Sequence, residues 1–184
     1  NVIRKPIVSL ISTGNELVMP GEKLNEGQIY DSNSYAISAA INSSGAECKM
    51  HKILSDKKED VDKLYENCSQ SDLIVTIGGV SKGDFDLIRD AISSKGNVDF
   101  WGINMKPGKP LAFGKVVLNN EEVFHIGLPG NPVSSYVCFE LFIRPILLKM
   151  QGMKNIHRKK IRAKISSDIY NNDGRRSYSR VSIK

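Results

Sequence analysis

The sequence predicts an α/β sandwich built on a largely parallel sheet. Three observations carry that reading. Short apolar runs alternate with helical patterns along most of the chain, the arrangement that layered α/β folds require. Glycine-bearing turns recur directly after those runs, at the carboxyl ends of strands, where open α/β sheets collect their ligands. Composition is that of an ordinary globular chain: 184 residues, 40% hydrophobic and 25% charged, long enough to bury a sizeable core.

Taken in order, Ile7 to Ile11 is a first strand ending in the turn Ser12-Thr13-Gly14-Asn15-Glu16. Asp31, Ser32 or Asn33 then caps a helix whose Tyr35, Ile37, Ala40 and Ile41 share one side and which stops near Ser44-Gly45. Ala46 to Leu54 reads as a second strand. Asp56 and Glu59 are spaced as a capping box for a helix burying Val61, Leu64, Tyr65 and Cys68. Leu73 to Ile77 is a third, fully buried strand. Gly78 to Asp86 is a turn leading into the helical pattern Leu87 to Ile92. A short strand near Val98 to Trp101 precedes Lys106-Pro107-Gly108-Lys109-Pro110. Leu111 to Leu118 and Val123 to Ile126 form a hairpin across Asn119-Asn120, and Gly127 to Pro132 opens one long apolar helix reaching about Met150. Residues 1–152 make this domain. Residues 153–184 hold a single strand-like run, Ile161 to Ile169, and no core of their own.

The net charge of +6 is unevenly spread. Lys154 to Lys184 carries ten basic and two acidic residues, a balance of +8, whereas the other 153 residues balance at −2. Basicity therefore belongs to the tail, and Tyr170 and Tyr178 are too few to make the tail a nucleic-acid surface. Cys48, Cys68 and Cys138 form no C-x-x-C pair and read as reduced thiols of a cytosolic protein. His51, His125 and His157 have no metal-ligand spacing, and neither a signal peptide nor a membrane span is visible. The chain opens without Met, which reads as a piece of a longer protein.

Two stretches carry chemistry. Gly78 and Gly79 let the backbone approach a ligand, and a helix start beyond them favours anions. Asp84 and Asp86 beside such a phosphate cradle need a cation between them and it, and Mg²⁺ held by one or two carboxylates plus phosphate meets that need. Both aspartates could equally cap the helix. Lys106 and Lys109 each precede a proline. In a polyproline-like backbone of about three residues per turn they project to one side, as an oxyanion site or a solvated charge pair. Ser134 and Ser135 lie in the first turn of the last helix, where hydroxyls and free N–H groups suit an anion or a cap. Arg175 and Arg180 are by default solvated charges.

Together these motifs resemble the molybdopterin molybdenumtransferases, or molybdenum insertases: the bacterial MoeA proteins and the E domain of gephyrin. The matching pieces are Thr13-Gly14-Asn15-Glu16-Leu17, Tyr30-Asp31-Ser32-Asn33, Gly78 to Asp86, Lys106 to Gly114 and Gly127 to Ser134. They run in the family's order across residues 6–152. Gly174 to Arg180 is similar to the run that opens the family's small C-terminal β domain. The resemblance implies a MogA-like molybdopterin-binding sandwich and, beyond it, the start of that β domain.

The implied activity is insertion of molybdate into adenylylated molybdopterin, with Mg²⁺-dependent release of AMP. Carried over, Gly78, Gly79 and Ser81 contact the phosphate-bearing part of the pterin. Thr13, Gly14, Asp31, Ser32, Asn33, Pro129, Gly130 and Asn131 complete the binding motifs. Glu16, Asp84 and Asp86 hold Mg²⁺ or steer hydrolysis. Lys106, Lys109 and Ser134 bind molybdate, with Arg175 or Arg180 helping. Family members are cytoplasmic homodimers that take substrate from an adenylyltransferase partner. They also carry two N-terminal domains absent from this chain, so the expectation is a domain that folds but inserts molybdate poorly. The rivals are a MogA-like adenylyltransferase, against which Val80-Ser81-Lys82-Gly83-Asp84 and Lys-Pro-Gly-Lys-Pro stand, and a gephyrin-like scaffold.

Overall fold

Strand β1 (Ile7–Ser12) alternates between two buried faces, because successive side chains of a strand point opposite ways. Val8 and Leu10 face one core and Ile11 the other. The same alternation in β5 (Leu73–Ile77) sends Leu73, Val75 and Ile77 to the first core and Ile74 to the second. A sheet buried on both faces needs helices on both, and the computed structural model has that architecture. It describes residues 2–55, 63–79 and 86–182.

The main sheet is six-stranded, in the order β4-β1-β5-β9-β8-β6. Besides β1 and β5 it comprises β4 (Glu47–Met50), β6 (Gly96–Trp101), β8 (Ala112–Leu118) and β9 (Glu121–Leu128). β4, β1, β5 and β9 run parallel, while β8 is antiparallel to both its neighbours. Two small parallel pairs flank it: β2 (Leu17–Val18) with β3 (Ile29–Tyr30), and β7 (Met105–Lys106) with β10 (Arg176–Ser177).

On one face lie α1 (Asn33–Ser43), α3 (Pro132–Cys138) and α4 (Arg144–Met150), burying Ile37, Ile41, Phe139, Ile143 and Leu147. On the other lies α2 (Asp86–Lys95), whose Ile88, Ala91 and Ile92 are buried with Leu64, Tyr65 and Cys68. The expected capping box and Val61 fall outside the described residues.

The structure corrects three expectations. The last helix is not continuous: Phe139–Ile143 is a π-helical turn between α3 and α4. Pro145 explains it, having no N–H for the carbonyl one turn back and a ring that needs room there. The strand expected over Ala46 to Leu54 is only Glu47–Met50, followed by an isolated bridge from Leu54 to Thr13. The run Ile161 to Ile169 forms no strand. Ile161, Ile165 and Ile169 are exposed, and no neighbouring strand offers the pairing without which an isolated strand is unstable. The hairpin turn is as expected: Asn119 and Asn120 both have positive φ (51° and 65°), as a two-residue turn matching strand twist requires. Among the described residues no helix is long and apolar enough to cross a membrane.

Candidate functional site

β1, β5 and β9 are consecutive neighbours running the same way, so their carboxyl ends reach one edge of the sheet. That edge brings together Thr13-Gly14, Gly78-Gly79 and Pro129-Gly130-Asn131. Backbone hydrogen bonds stitch the turns to one another: Thr13 N–H donates to the Ile77 carbonyl (2.9 Å) and Gly78 N–H to that of Leu128 (3.0 Å). Gly78 is irreplaceable on steric grounds. Its φ is +91°, and a Cβ there would stand 2.5 Å from the Thr13 carbonyl oxygen. At Gly79 (φ +62°) a Cβ would stand 2.9 Å from Ile88 Cγ1 and 3.0 Å from Thr13 Oγ1.

Beneath this turn the Thr13 hydroxyl is buried and has no hydrogen-bond partner among the described residues. The polar groups around it are otherwise engaged. Asn33 Nδ2 donates to the Gly130 carbonyl (2.6 Å), tying α1 to the third turn. Asp31 is buried, and its carboxylate accepts from the Ser34 N–H (3.0 Å) and from the Ser34 hydroxyl. Ser34 Oγ in turn lies 2.6 Å from Ser12 Oγ. Of the three expected caps, Asp31 is thus the one whose side chain holds the helix start; Ser32 makes no cap bond. At α3, Asn131 Oδ1 accepts from the N–H groups of Val133 (3.1 Å) and Ser134 (3.2 Å), so these amides are already satisfied. Ser134 Oγ lies 3.4 Å from the same oxygen, and the buried Ser135 hydroxyl donates to the Pro129 carbonyl.

The Glu16 carboxylate sits at the rim. Glu16 is exposed and folds back over Gly14, where a Cβ would meet its Oε2 at 2.6 Å. Asp86 is the first residue of α2. Ser81 and Asp84 lie outside the described residues, among which no group of three metal-ligating side chains occurs.

Lys106 and Lys109 belong to a second region, where β7 leads into the proline turn. The turn is not continuous polyproline: Gly108 has φ +101°, and a Cβ there would meet Cys138 Sγ at 2.6 Å. Closeness to the end of α3 therefore dictates glycine, and the three-residue period does not carry across it. Burial pushes the Cys138 thiol up to about 12, so it packs as an inert apolar group. Both lysines are exposed. Lys109 has no ion pair among the described residues. Lys106 Nζ lies 3.8 Å from Asp173 Oδ2.

Asp173 also accepts from Arg175, through Nε (3.0 Å), Nη2 and the backbone N–H (3.1 Å). These Arg175 bonds, with the charges of Arg175 and Lys106, hold its carboxyl below the usual carboxylate range. Arg175 therefore joins the Lys106 side, whereas Arg180 lines a groove with Val133, Tyr136 and Tyr178. No contact joins either lysine to Ser134 among the described residues. Asp173 was not singled out in the sequence; its signal was a carboxylate two residues before an arginine in a basic tail.

Residues 9–149 match the family described as a probable molybdopterin binding domain. The chain is 40% identical over 148 residues to a molybdopterin molybdenumtransferase of Haemophilus influenzae, covering 80% of this chain and 36% of the relative. It is 34% identical over 187 residues to molybdopterin molybdenumtransferase 2 of Mycobacterium tuberculosis, covering 98% and 45%. It thus spans less than half the length of these relatives. The solved molybdopterin biosynthesis moeA protein of Pyrococcus horikosii is 40% identical, with a TM-score of 0.71 over 83% of this chain and 37% of that one. The tungsten cofactor synthesizing protein MoaB of Pyrococcus furiosus, 16% identical with a TM-score of 0.59, shares the fold over 83% of this chain and 99% of its own.

Proposed function

The chain belongs to the molybdopterin binding domain family, and from that membership we propose that it serves molybdenum cofactor biosynthesis as the central domain of a molybdenum insertase. In this reading it binds adenylylated molybdopterin along the strand-end cradle and receives molybdate at the lysine turn. One observation carries the proposal beyond family likeness. The three glycine turns meet at one sheet edge around a buried, unpartnered Thr13 hydroxyl. A buried hydroxyl without a partner costs on the order of 1–3 kcal/mol, and a ligand oxygen that reaches it through a shift of the Gly78-Gly79 turn recovers that cost.

The residues divide the work. Gly78 and Gly79 admit the ligand backbone-close, as no side chain stands there. Asn33 and Asn131 fix the third turn and the start of α3. Lys106 and Lys109 attract the oxyanion, and Arg175 stands behind Lys106 through Asp173.

Glu16, whose carboxylate is exposed, would with Asp84 and Asp86 supply hard oxygen donors of the kind Mg²⁺ takes. Mg²⁺ bound there supplies charge neutralisation for the phosphate at which AMP departs. The longer protein works in this proposal as a cytoplasmic homodimer fed by an adenylyltransferase. Three free cysteines suit a reducing compartment.

The test is AMP release from adenylylated molybdopterin by the longer protein containing this domain. Release should require both molybdate and Mg²⁺, and Lys106→Met with Lys109→Met should abolish the molybdate dependence. ATP consumption with free molybdopterin and no molybdate would instead identify an adenylyltransferase.

A further inference from the structure

We propose that Asp173 is an internal competitor for the incoming oxyanion, occupying Lys106 and Arg175 until a dianion displaces it and so lowering the turn's affinity for free anions. The inference rests on the reading that Lys106 takes the oxyanion. It starts from an oddity of the tail. In a segment carrying ten basic residues, one of only two carboxylates is placed between the lysine of the proline turn and the arginine beside it.

That placement is built. The tail is held to the turn by the β7–β10 pair, with the Arg176 N–H donating to the Asn104 carbonyl (3.1 Å) and the Tyr178 N–H to that of Lys106 (2.8 Å). Asn171 Nδ2 donates to the Arg175 carbonyl (2.7 Å) and closes the loop in which Asp173 sits. The result is an open polar pocket of about 320 Å³ lined by Lys106, Tyr170, Asn171, Asn172, Asp173 and Ser177. Its lining offers hydroxyls, amides and an ammonium, the donor set a tetrahedral oxyanion uses. The lysine contact at 3.8 Å is looser than the arginine contacts. Lys106 is therefore the cation most easily withdrawn from Asp173.

Charge decides the exchange. A carboxylate brings one negative charge to the pair and a tetrahedral dianion brings two, so Coulomb attraction favours replacement by a dianion. A monoanion brings no more charge than Asp173 does and exchanges with it less readily. Because the groups are substantially exposed, water and salt weaken the internal pair, and its removal shifts anion binding by no more than about five-fold.

The experiment is equilibrium binding of molybdate to the chain by titration calorimetry, with sulfate and acetate as comparison anions. Asp173→Asn should bind molybdate about two- to five-fold more tightly, and sulfate by a similar factor. Asp173→Glu keeps the charge and should stay within about two-fold of the parent. Lys106→Met should lose most binding, alone and combined with Asp173→Asn. Unchanged or weaker molybdate binding by Asp173→Asn, with Lys106→Met still defective and both variants folded by circular dichroism, overturns the inference alone: Asp173 then merely orients Arg175. Binding indifferent to Lys106→Met overturns the underlying reading of the lysine as well.

Discussion

Replacing Gly78 by alanine tests whether the strand-end cradle is as tightly built as its geometry implies. Two costs add at this position. A φ of +91° lies in the region where an L-residue meets its own carbonyl, worth about 1–2 kcal/mol. The new Cβ also stands 2.5 Å from the Thr13 carbonyl oxygen. That oxygen cannot withdraw cheaply, because Thr13 closes β1 and its N–H is bonded to Ile77. Forcing a carbon into a packed backbone site costs about 1–3 kcal/mol. The loss of unfolded-state freedom returns about 0.4–1 kcal/mol, leaving a net destabilisation of about 1–5 kcal/mol. In a chain of this size each kcal/mol lowers Tm by about 2–4 °C, so Gly78→Ala should melt roughly 2–20 °C below the parent by circular dichroism. Gly130→Ala is the control, since its Cβ would have only the Gly78 Cα for a neighbour, at 3.8 Å. A Gly78→Ala protein melting within about 1 °C of the parent, or a Gly130→Ala protein equally damaged, refutes the steric argument.

Two further changes probe the buried polar groups. His125 is fully buried between the Tyr65 hydroxyl (2.9 Å) and Thr76 Oγ1 (3.1 Å), and burial lowers its pKa from 6.5 to about 3. The unfolded chain therefore binds a proton in this window that the folded chain refuses. Stability is complete above pH 6.5 and is lost as pH falls towards 3, at about 1.4 kcal/mol per unit. Urea midpoints should drop between pH 7 and about pH 5, and His125→Asn should flatten most of that slope; His51, also lowered by burial, keeps a remainder. An unaltered slope in His125→Asn contradicts this assignment. Thr13→Val removes the unpartnered hydroxyl, so the free chain should gain about 1–3 kcal/mol in stability while molybdopterin binding weakens. A variant that melts lower and binds normally would show the hydroxyl to be structural.

The regular elements were legible where one local rule sufficed. Short apolar runs located β1 and β5, and Asn119-Asn120 located the hairpin turn. Failures came where a tertiary partner decided. Ile161 to Ile169 has strand composition but nothing to pair with, and Pro145 altered a helix upstream of itself. At the site, Gly78 could be read as a close-approach glycine, but its obstacle, the Thr13 carbonyl, comes from a strand more than sixty residues earlier. Asp31 looked like one of three interchangeable caps until Ser34 and Ser12 singled it out. Asp173 carried only the local signal of a carboxylate two residues before Arg175, because the rest of its meaning lies in Lys106 across the β7–β10 pair.

The two regions differ in how they are held, and that difference bears on what each can do. At the proposed cradle, backbone amides are bonded strand to strand and a Cβ at Gly78 would strike the Thr13 carbonyl, so the described part of that edge is rigidly built. At the lysine turn, the cations are exposed and their one carboxylate contact is weak and replaceable. A rigid site suits a large ligand that must be held in one orientation through a reaction. A loosely paired site suits a small, highly charged ion that must enter, be tested and move on. The rigid half lies on the main sheet itself. The adjustable half hangs on a two-residue pair between the turn and the tail, so the Lys106–Asp173 contact is coupled to how firmly that tail is anchored.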